Sequence, residues 1–187
     1  MKKTILLLAF VISTGSLFAQ NLPAGQARKT TTSATVSFDA TTPKDPLPKA
    51  DNKTVIGSID TKTGAVAFEA AVNNFSFANP KMQEHFNGTN WMNSAQFAKF
   101  SFTGQIEKPS KIKYTKNGTY TVEVTGDLTV KDISKKITVP VTFTITNGKI
   151  NVTTAFTIKL ADYNITGQPV EAGKVSKEPK VSVSAEF

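Results

Sequence analysis

TYTVEVTGDLTV at residues 119–130 and ISKKITVPVTFTIT at residues 133–146 decide the fold. In the first run Tyr120, Val122, Val124, Gly126, Leu128 and Val130 share one parity, and Thr121, Glu123, Thr125, Asp127 and Thr129 hold the other. Period two over that length describes a strand with one apolar and one wet face, because successive Cβ atoms leave opposite sides of the pleat. The second run repeats the pattern, with Ile133, Ile137, Val139, Val141, Phe143 and Ile145 set against Ser134, Lys136, Thr138, Thr142 and Thr144. Lys131-Asp132 is the tight reversal between them. The expected inward set therefore includes Val124, Leu128, Val139 and Phe143, while Thr125 and Thr142 face water. Pro140 falls on the outward parity and suggests a bulge or an edge there.

Working outward, Asn147-Gly148 is a strong hairpin signal, since a type I′ turn needs positive φ at both central residues. The following run places Ile150, Val152, Phe156, Ile158 and Leu160 on one face and Asn151, Thr153, Thr157 and Lys159 on the other. Val181, Val183, Ala185 and Phe187 alternate in a last strand. Upstream, Ala34 to Phe38, Thr54 to Asp60, Val66 to Val72 and Phe100 to Ile106 add strands, with a turn at Asp60 to Gly64. Thr41 to Lys53 and Gly167 to Lys180, rich in Pro and Lys, read as loops. The expectation is an all-β chain: a single antiparallel barrel of about eight strands, because long one-faced strands favour a sheet that closes on itself.

One stretch breaks the β pattern, NPKMQEHFNGTNWMNSAQF at residues 79–97. Asn79 can cap a short helix with Pro80 at its first position, where the missing N–H costs nothing. The segment holds the sole His, the sole Trp and two of the three Met, and apolar bulk in an irregular insertion points to a plug or lid.

The hairpin TGDLTVKDISKKITVPVTF at residues 125–143 resembles the signature hairpin of the YceI-like polyisoprenoid-binding family. Met82-Gln83-Glu84-His85-Phe86 and Phe97-Ala98-Lys99-Phe100-Ser101-Phe102 are similar to its other hallmark, an acidic residue and His on a short helix leading into an aromatic strand. The resemblance spans roughly Ala34 to Phe187. It implies an eight-stranded lipocalin-like barrel with a short helical insertion, a periplasmic location, and an isoprenoid or quinone-like chain in an apolar tunnel. Met82 and Asn87 stand where the family often carries Arg, and Lys131-Asp132 where it often has His-Gly, so head-group contacts by those basic residues do not carry over.

At the N-terminus, Lys2 and Lys3, the apolar run Ile5 to Ile12 and Leu17-Phe18-Ala19 form an export signal in residues 1–19, leaving one YceI-like domain over 20–187. The apolar run is shorter than the roughly 20 residues of a membrane helix. There is no Cys, which excludes disulfides, thiol nucleophiles and thiolate metal sites. The formal charge is +8, or +6 once Lys2 and Lys3 are removed, with the lysines dispersed along the chain. A solvated surface accounts for that better than nucleic-acid binding, which is not expected.

No catalytic constellation is expected. Glu84 and His85 are helix neighbours about 100° apart and do not form an acid–base pair; His85 reads as a structural hydrogen-bonding group or a contact for a ligand's polar end. No metal-ligand spacing and no phosphate loop occur. The candidate ligand-binding residues are Phe68, Phe77, Met82, His85, Phe86, Trp91, Phe97, Phe102, Leu128, Phe143, Phe156 and Ile158. They would hold a polyisoprenoid or quinone-like lipid, with no covalent cofactor, no stable membrane insertion, and homodimerisation left open. The competing readings are a small outer-membrane barrel, against which three Tyr and one Trp make poor interfacial girdles, and a fully packed periplasmic stress or scaffold protein with no ligand.

Overall fold

The computed structural model describes residues 27–187, so the expected export signal lies outside the described residues. Its strands are β1 (Arg28–Asp39), β2 (Lys49–Asp60), β3 (Ala65–Ala71), β4 (Ser76–Phe77), β5 (Lys99–Ile106), β6 (Gly118–Val130), β7 (Ile133–Thr146), β8 (Lys149–Thr157) and β9 (Lys180–Glu186). Each long strand pairs antiparallel with its neighbours, and β1 pairs with both β9 and β2, which closes the sheet. The result is an eight-stranded barrel in which β4 is a two-residue resumption of β3 against the start of β2.

The parity of the deciding stretch holds. Val139, Val141, Phe143 and Ile145 are buried, and on the outer face the hydroxyls of Thr125 and Thr138 meet at 2.8 Å. Lys131 and Asp132 (φ 49° and 60°) and Asn147 and Gly148 (φ 51° and 82°) adopt the left-handed pairs that a type I′ turn requires. Pro140 makes no bulge, because it pairs in continuous register with Glu123. It is an edge instead: the β7–β8 ladder stops at Val141, and the Pro140 carbonyl turns to β8, where the Thr154 hydroxyl donates to it at 2.7 Å. In an antiparallel strand the N–H and C=O of a residue point the same way, so the N–H that Pro140 lacks would have faced that unladdered gap.

Two expected loops shorten. β2 begins at Lys49, not Thr54, and Lys180 already belongs to β9. The stretch KADNK at residues 49–53 hid its alternation because the inward positions are a small residue and an amide, Ala50 and Asn52. Asn52 is the one fully buried polar side chain among the described residues, and it staples the break between β3 and β4. Its amide donates to the Ala71 carbonyl at 2.8 Å, and its oxygen accepts from the Thr54 N–H and hydroxyl. A buried polar group persists only when paired, and here the pairing bridges the short turn between β3 and β4, after which the chain leaves the wall.

What leaves the wall is the insertion. Helix α1 (Pro80–Asn87) starts as expected, with Asn79 Oδ1 accepting from the Lys81 N–H at 2.9 Å and Pro80 at the first position. A second short helix, α2 (Gln168–Glu171), lies in the β8–β9 connection. The β1–β2, β3–β5 and β8–β9 connections, all long, share one end of the barrel. The other end carries the tight β2–β3 and β7–β8 turns and the loop of residues 107–117.

Candidate functional site

The barrel encloses an apolar cavity of about 1020 Å³. Eight-stranded barrels are just wide enough either to fill with side chains or to hold one ligand. Three inward glycines explain why this one keeps its space. Phe68 faces Gly57 across β2 and β3, and a Cβ on Gly57 would lie 2.5 Å from Phe68 Cε1. Phe102 lies over Gly104 and its cross-strand partner Gly126, whose Cβ atoms would sit 2.7 and 2.6 Å from Phe102 Cζ. The rings therefore lie flat against the wall instead of crossing the lumen. Phe68, Phe102 and Leu128 form one cross-strand row across β3, β5 and β6, and all three line the cavity.

The floor lies toward the tight turns. Phe143 is 1% exposed, and the Tyr114 ring meets it edge-on with centroids 6.5 Å apart. Ile106, Ile112, Ile145 and Ile150 are buried at that end. The Tyr114 hydroxyl is buried with no hydrogen-bond partner among the described residues. Burial, and secondarily the charge of Asp60, push its pKa up to about 12. β-branched side chains of β6 to β9 make the opposite wall, and Phe156 and Ile158 carry it toward the open end.

At the mouth the insertion supplies an aromatic cluster. Phe86 of α1 stacks on Phe38 at 5.5 Å and meets Phe77 at 5.0 Å and Phe75 at 5.8 Å. The Phe77 N–H donates to Gln83 Oε1 at 3.1 Å, which ties α1 to β4. Met82, His85 and Trp91 complete this side of the rim. Across from it, the β1–β2 and β8–β9 connections are clasped together. The Thr42 hydroxyl donates to the Gly173 carbonyl at 2.8 Å, Lys44 donates to the Ala172 carbonyl, and the Ser176 N–H donates to the Ala40 carbonyl. Most polar lining groups, among them Asp45, Glu84, His85, Asn90, Gln168 and Lys174, belong to these three connections. The cavity is greasy along its depth and polar at its rim.

Eleven of the twelve candidate residues line this cavity; Phe97 does not. It packs outside, under the Lys131 ammonium, 5.7 Å from the ring centroid. The sequence signal pooled Phe97 with its neighbours because it sits in the same insertion, but the turns at Gly88 to Phe97 carry it away from the lumen. Lys131 also donates to the Trp91 carbonyl at 2.8 Å, so the β6–β7 turn straps the insertion down. His85 makes no ring hydrogen bond among the described residues, and it is exposed at the rim, so the expected structural bond is not formed there. The glycine bays, Asn52 and the Lys131 strap escaped the sequence reading. Gly126 on an inward parity was their one visible sign. Among the described residues no cluster of three or more His, Cys, Asp or Glu side chains is placed to hold a metal.

A family model described as the YceI-like domain matches residues 22–187. No curated protein sequence matches significantly. Among solved structures, the chain resembles Burkholderia cenocepacia BcnA, at 19% identity and TM-score 0.69, covering 82% of this chain and 96% of that one. It also resembles a polyisoprenoid-binding domain from Saccharophagus degradans, implicated in plant cell wall breakdown, at 14% identity and TM-score 0.73 over 86% and 97% of the two chains. The Campylobacter jejuni YCEI protein follows at 12% identity and TM-score 0.55, over 100% and 90%. At such identities these likenesses speak for the fold.

Proposed function

The chain belongs to the YceI-like domain family, and from that premise we propose that it is an exported carrier that holds one long isoprenoid or quinone-like chain inside its barrel. The observation that carries the reading is the cavity: about 1020 Å³, apolar through its depth, with polar groups gathered at the mouth. That is the upper end of the usual ligand-pocket range of roughly 300–1,000 Å³. Burying an apolar chain there gains about 25 cal/mol per Å² removed from water and leaves no polar group of the cargo unpaired, since its head stays at the rim. The Saccharophagus domain of the same fold is described as polyisoprenoid-binding, which supports this class of cargo.

Binding without turnover is the activity that follows. Glu84 and His85 stand exposed at the rim, where they can contact a head group. The outward faces of β6 and β7 carry Glu123, Asp127, Lys136 and a ladder of threonines, unlike the apolar band of a membrane barrel, which favours a water-borne carrier. The residue 1–19 signal motivates the periplasmic assignment.

The test is native mass spectrometry of the protein purified from its own host's periplasm after osmotic shock, without detergent. A bound mass made of isoprene repeats, lost on organic extraction, is the expected result. A protein that is released only by detergent, or that reproducibly carries no lipid and fails to take up a long prenyl chain after extraction, would overturn the reading.

A further inference from the structure

The closed end of the barrel is strongly basic. Topology brings the β1 start, the β2–β3 turn, the residue 107–117 loop and the β7–β8 turn to the end opposite the mouth. They carry Arg28, Lys29, Lys62, Lys108, Lys111, Lys113, Lys116 and Lys149 against the carboxylates of Asp60, Glu107 and Glu186. Two of those carboxylates are already engaged. Asp60 accepts the Lys62 and Thr63 N–H groups of its own turn, and Glu186 pairs with Lys149 at 3.1 Å. Glu123 adds one charge on the adjoining wall. The connections at the mouth are balanced by contrast: Lys44, Lys81, Lys131, Lys159, Lys174 and Lys177 face Asp45, Glu84, Asp132, Asp162, Glu171 and Glu178. Lysines that look dispersed in the sequence thus become one cationic face in the fold.

We propose that this face docks the protein on an anionic phospholipid bilayer, with the mouth pointing away from it. The chemistry of the face selects that partner. Its cations are lysines with a single Arg, flexible point charges rather than bidentate forks. The two large apolar side chains well exposed among the described residues, Leu47 and Ile56, lie elsewhere, and Ile112 in this loop is buried. A specific protein interface would centre on exposed aromatic or Arg anchors. A diffuse ring of lysines suits mobile anionic head groups, attracted within a screening length of roughly 8 Å. β7, at 14 residues, tilted and rising about 3.3 Å per residue, places the mouth on the order of 35 Å from this face, so docking leaves the mouth free.

The experiment is flotation with vesicles of phosphatidylethanolamine with or without phosphatidylglycerol, using lipid-extracted protein so that the outcome is independent of the cargo reading. Wild type should float only with the phosphatidylglycerol vesicles and be released by salt. Each lysine near an anionic surface is worth about a fivefold change in partition. Replacing Lys62, Lys108, Lys111 and Lys116 by Gln should therefore cut binding on the order of a hundredfold or more. The charge-matched Lys81, Lys135, Lys136 and Lys159 to Gln variant should keep most of it. Hydrogen exchange on wild type guards against misfolding of either variant, with protection expected at residues 107–117 and not at 165–175 upon vesicle binding. Absence of binding to the anionic vesicles, equal loss in both variants, protection at the mouth, or an acidic protein captured at this face while vesicles are not, would each overturn the proposal.

Discussion

Truncating Phe86 to Ala tests whether the α1 wall is shared between the protein and its cargo. The ring is 7% exposed and touches three others at 5.0 to 5.8 Å. Removing a core Phe costs about 3–5 kcal/mol, of which aromatic pairs supply about 0.5–1.5 each. Because Phe86 also borders the cavity, part of its contact shell is missing in the empty protein. The loss there should fall at the low end, about 3 kcal/mol. In the loaded protein the variant loses the same packing and also the contact with the cargo. If cargo affinity drops tenfold, the mass-action stabilisation shrinks by about 1.4 kcal/mol more. Urea unfolding of extracted and loaded protein, wild type beside Phe86→Ala and the volume-retaining Phe86→Leu, measures both quantities, and a stopped-flow transfer assay measures release. An equal loss in both states with unchanged release would show that Phe86 is core alone and that α1 does not contact the cargo.

Three further outcomes follow from particular side chains. Asn52→Ala removes three hydrogen bonds and leaves the Ala71 carbonyl and the Thr54 N–H without that partner; it should cost about 3 kcal/mol in urea unfolding, and a loss under 1 would deny its stapling role. Tyr114→Phe discards a buried hydroxyl with no partner among the described residues and should be neutral or stabilising by about 1 kcal/mol. Its pKa is raised from 10.0 to about 12, so the stability tied to the neutral hydroxyl is intact below pH 10 and fades as pH climbs toward 12. The Phe variant should lose less in that window, while Tyr163, raised likewise to about 12, keeps part of the alkaline loss in both proteins; urea midpoints across the alkaline range would reveal identical slopes if this is mistaken. Lys131→Met cuts the strap to the Trp91 carbonyl. Global stability should change by less than about 1 kcal/mol, as for other partly exposed cation contacts, while amide exchange at residues 88–97 and cargo release should quicken; unchanged exchange would deny the strap.

The strands and hairpins were legible because their signals are local. Alternation from Tyr120 to Ile145 says which side of the pleat each residue occupies, and Asn147-Gly148 states its own turn. Asn79-Pro80 likewise announces the start of α1. Once parity is known, the inward strand residues follow, which is why Phe68, Phe102, Leu128, Phe143, Phe156 and Ile158 fall on the cavity wall, while Met82, His85, Phe86 and Trp91 reach it from the insertion. Phe97 does not, since an irregular segment has no period from which direction can be read. The start of β2 was obscured for a related reason, because Ala50 and Asn52 do not look like core.

Space inside the barrel was implied by the family resemblance but was not legible in the alternation of the residues themselves. Parity gives the direction of a side chain but not what stands across from it. Whether eight strands enclose a packed core or a cavity depends on Phe68 meeting Gly57 on the neighbouring strand, and on Phe102 lying over Gly104 of its own strand and Gly126 of the next, contacts that strand pairing and ring orientation set. The same holds for the charge: lysines spread from Lys29 to Lys149 become one face only when the start of β1 and three connections are brought to one end. Sequence by itself determined the pleat, the turns and the apolar character of the interior, since each follows from neighbours along the chain. Tertiary structure alone decided the cavity, its single strapped insertion and its basic closed end, because volume and electric field are sums over residues that only folding brings together.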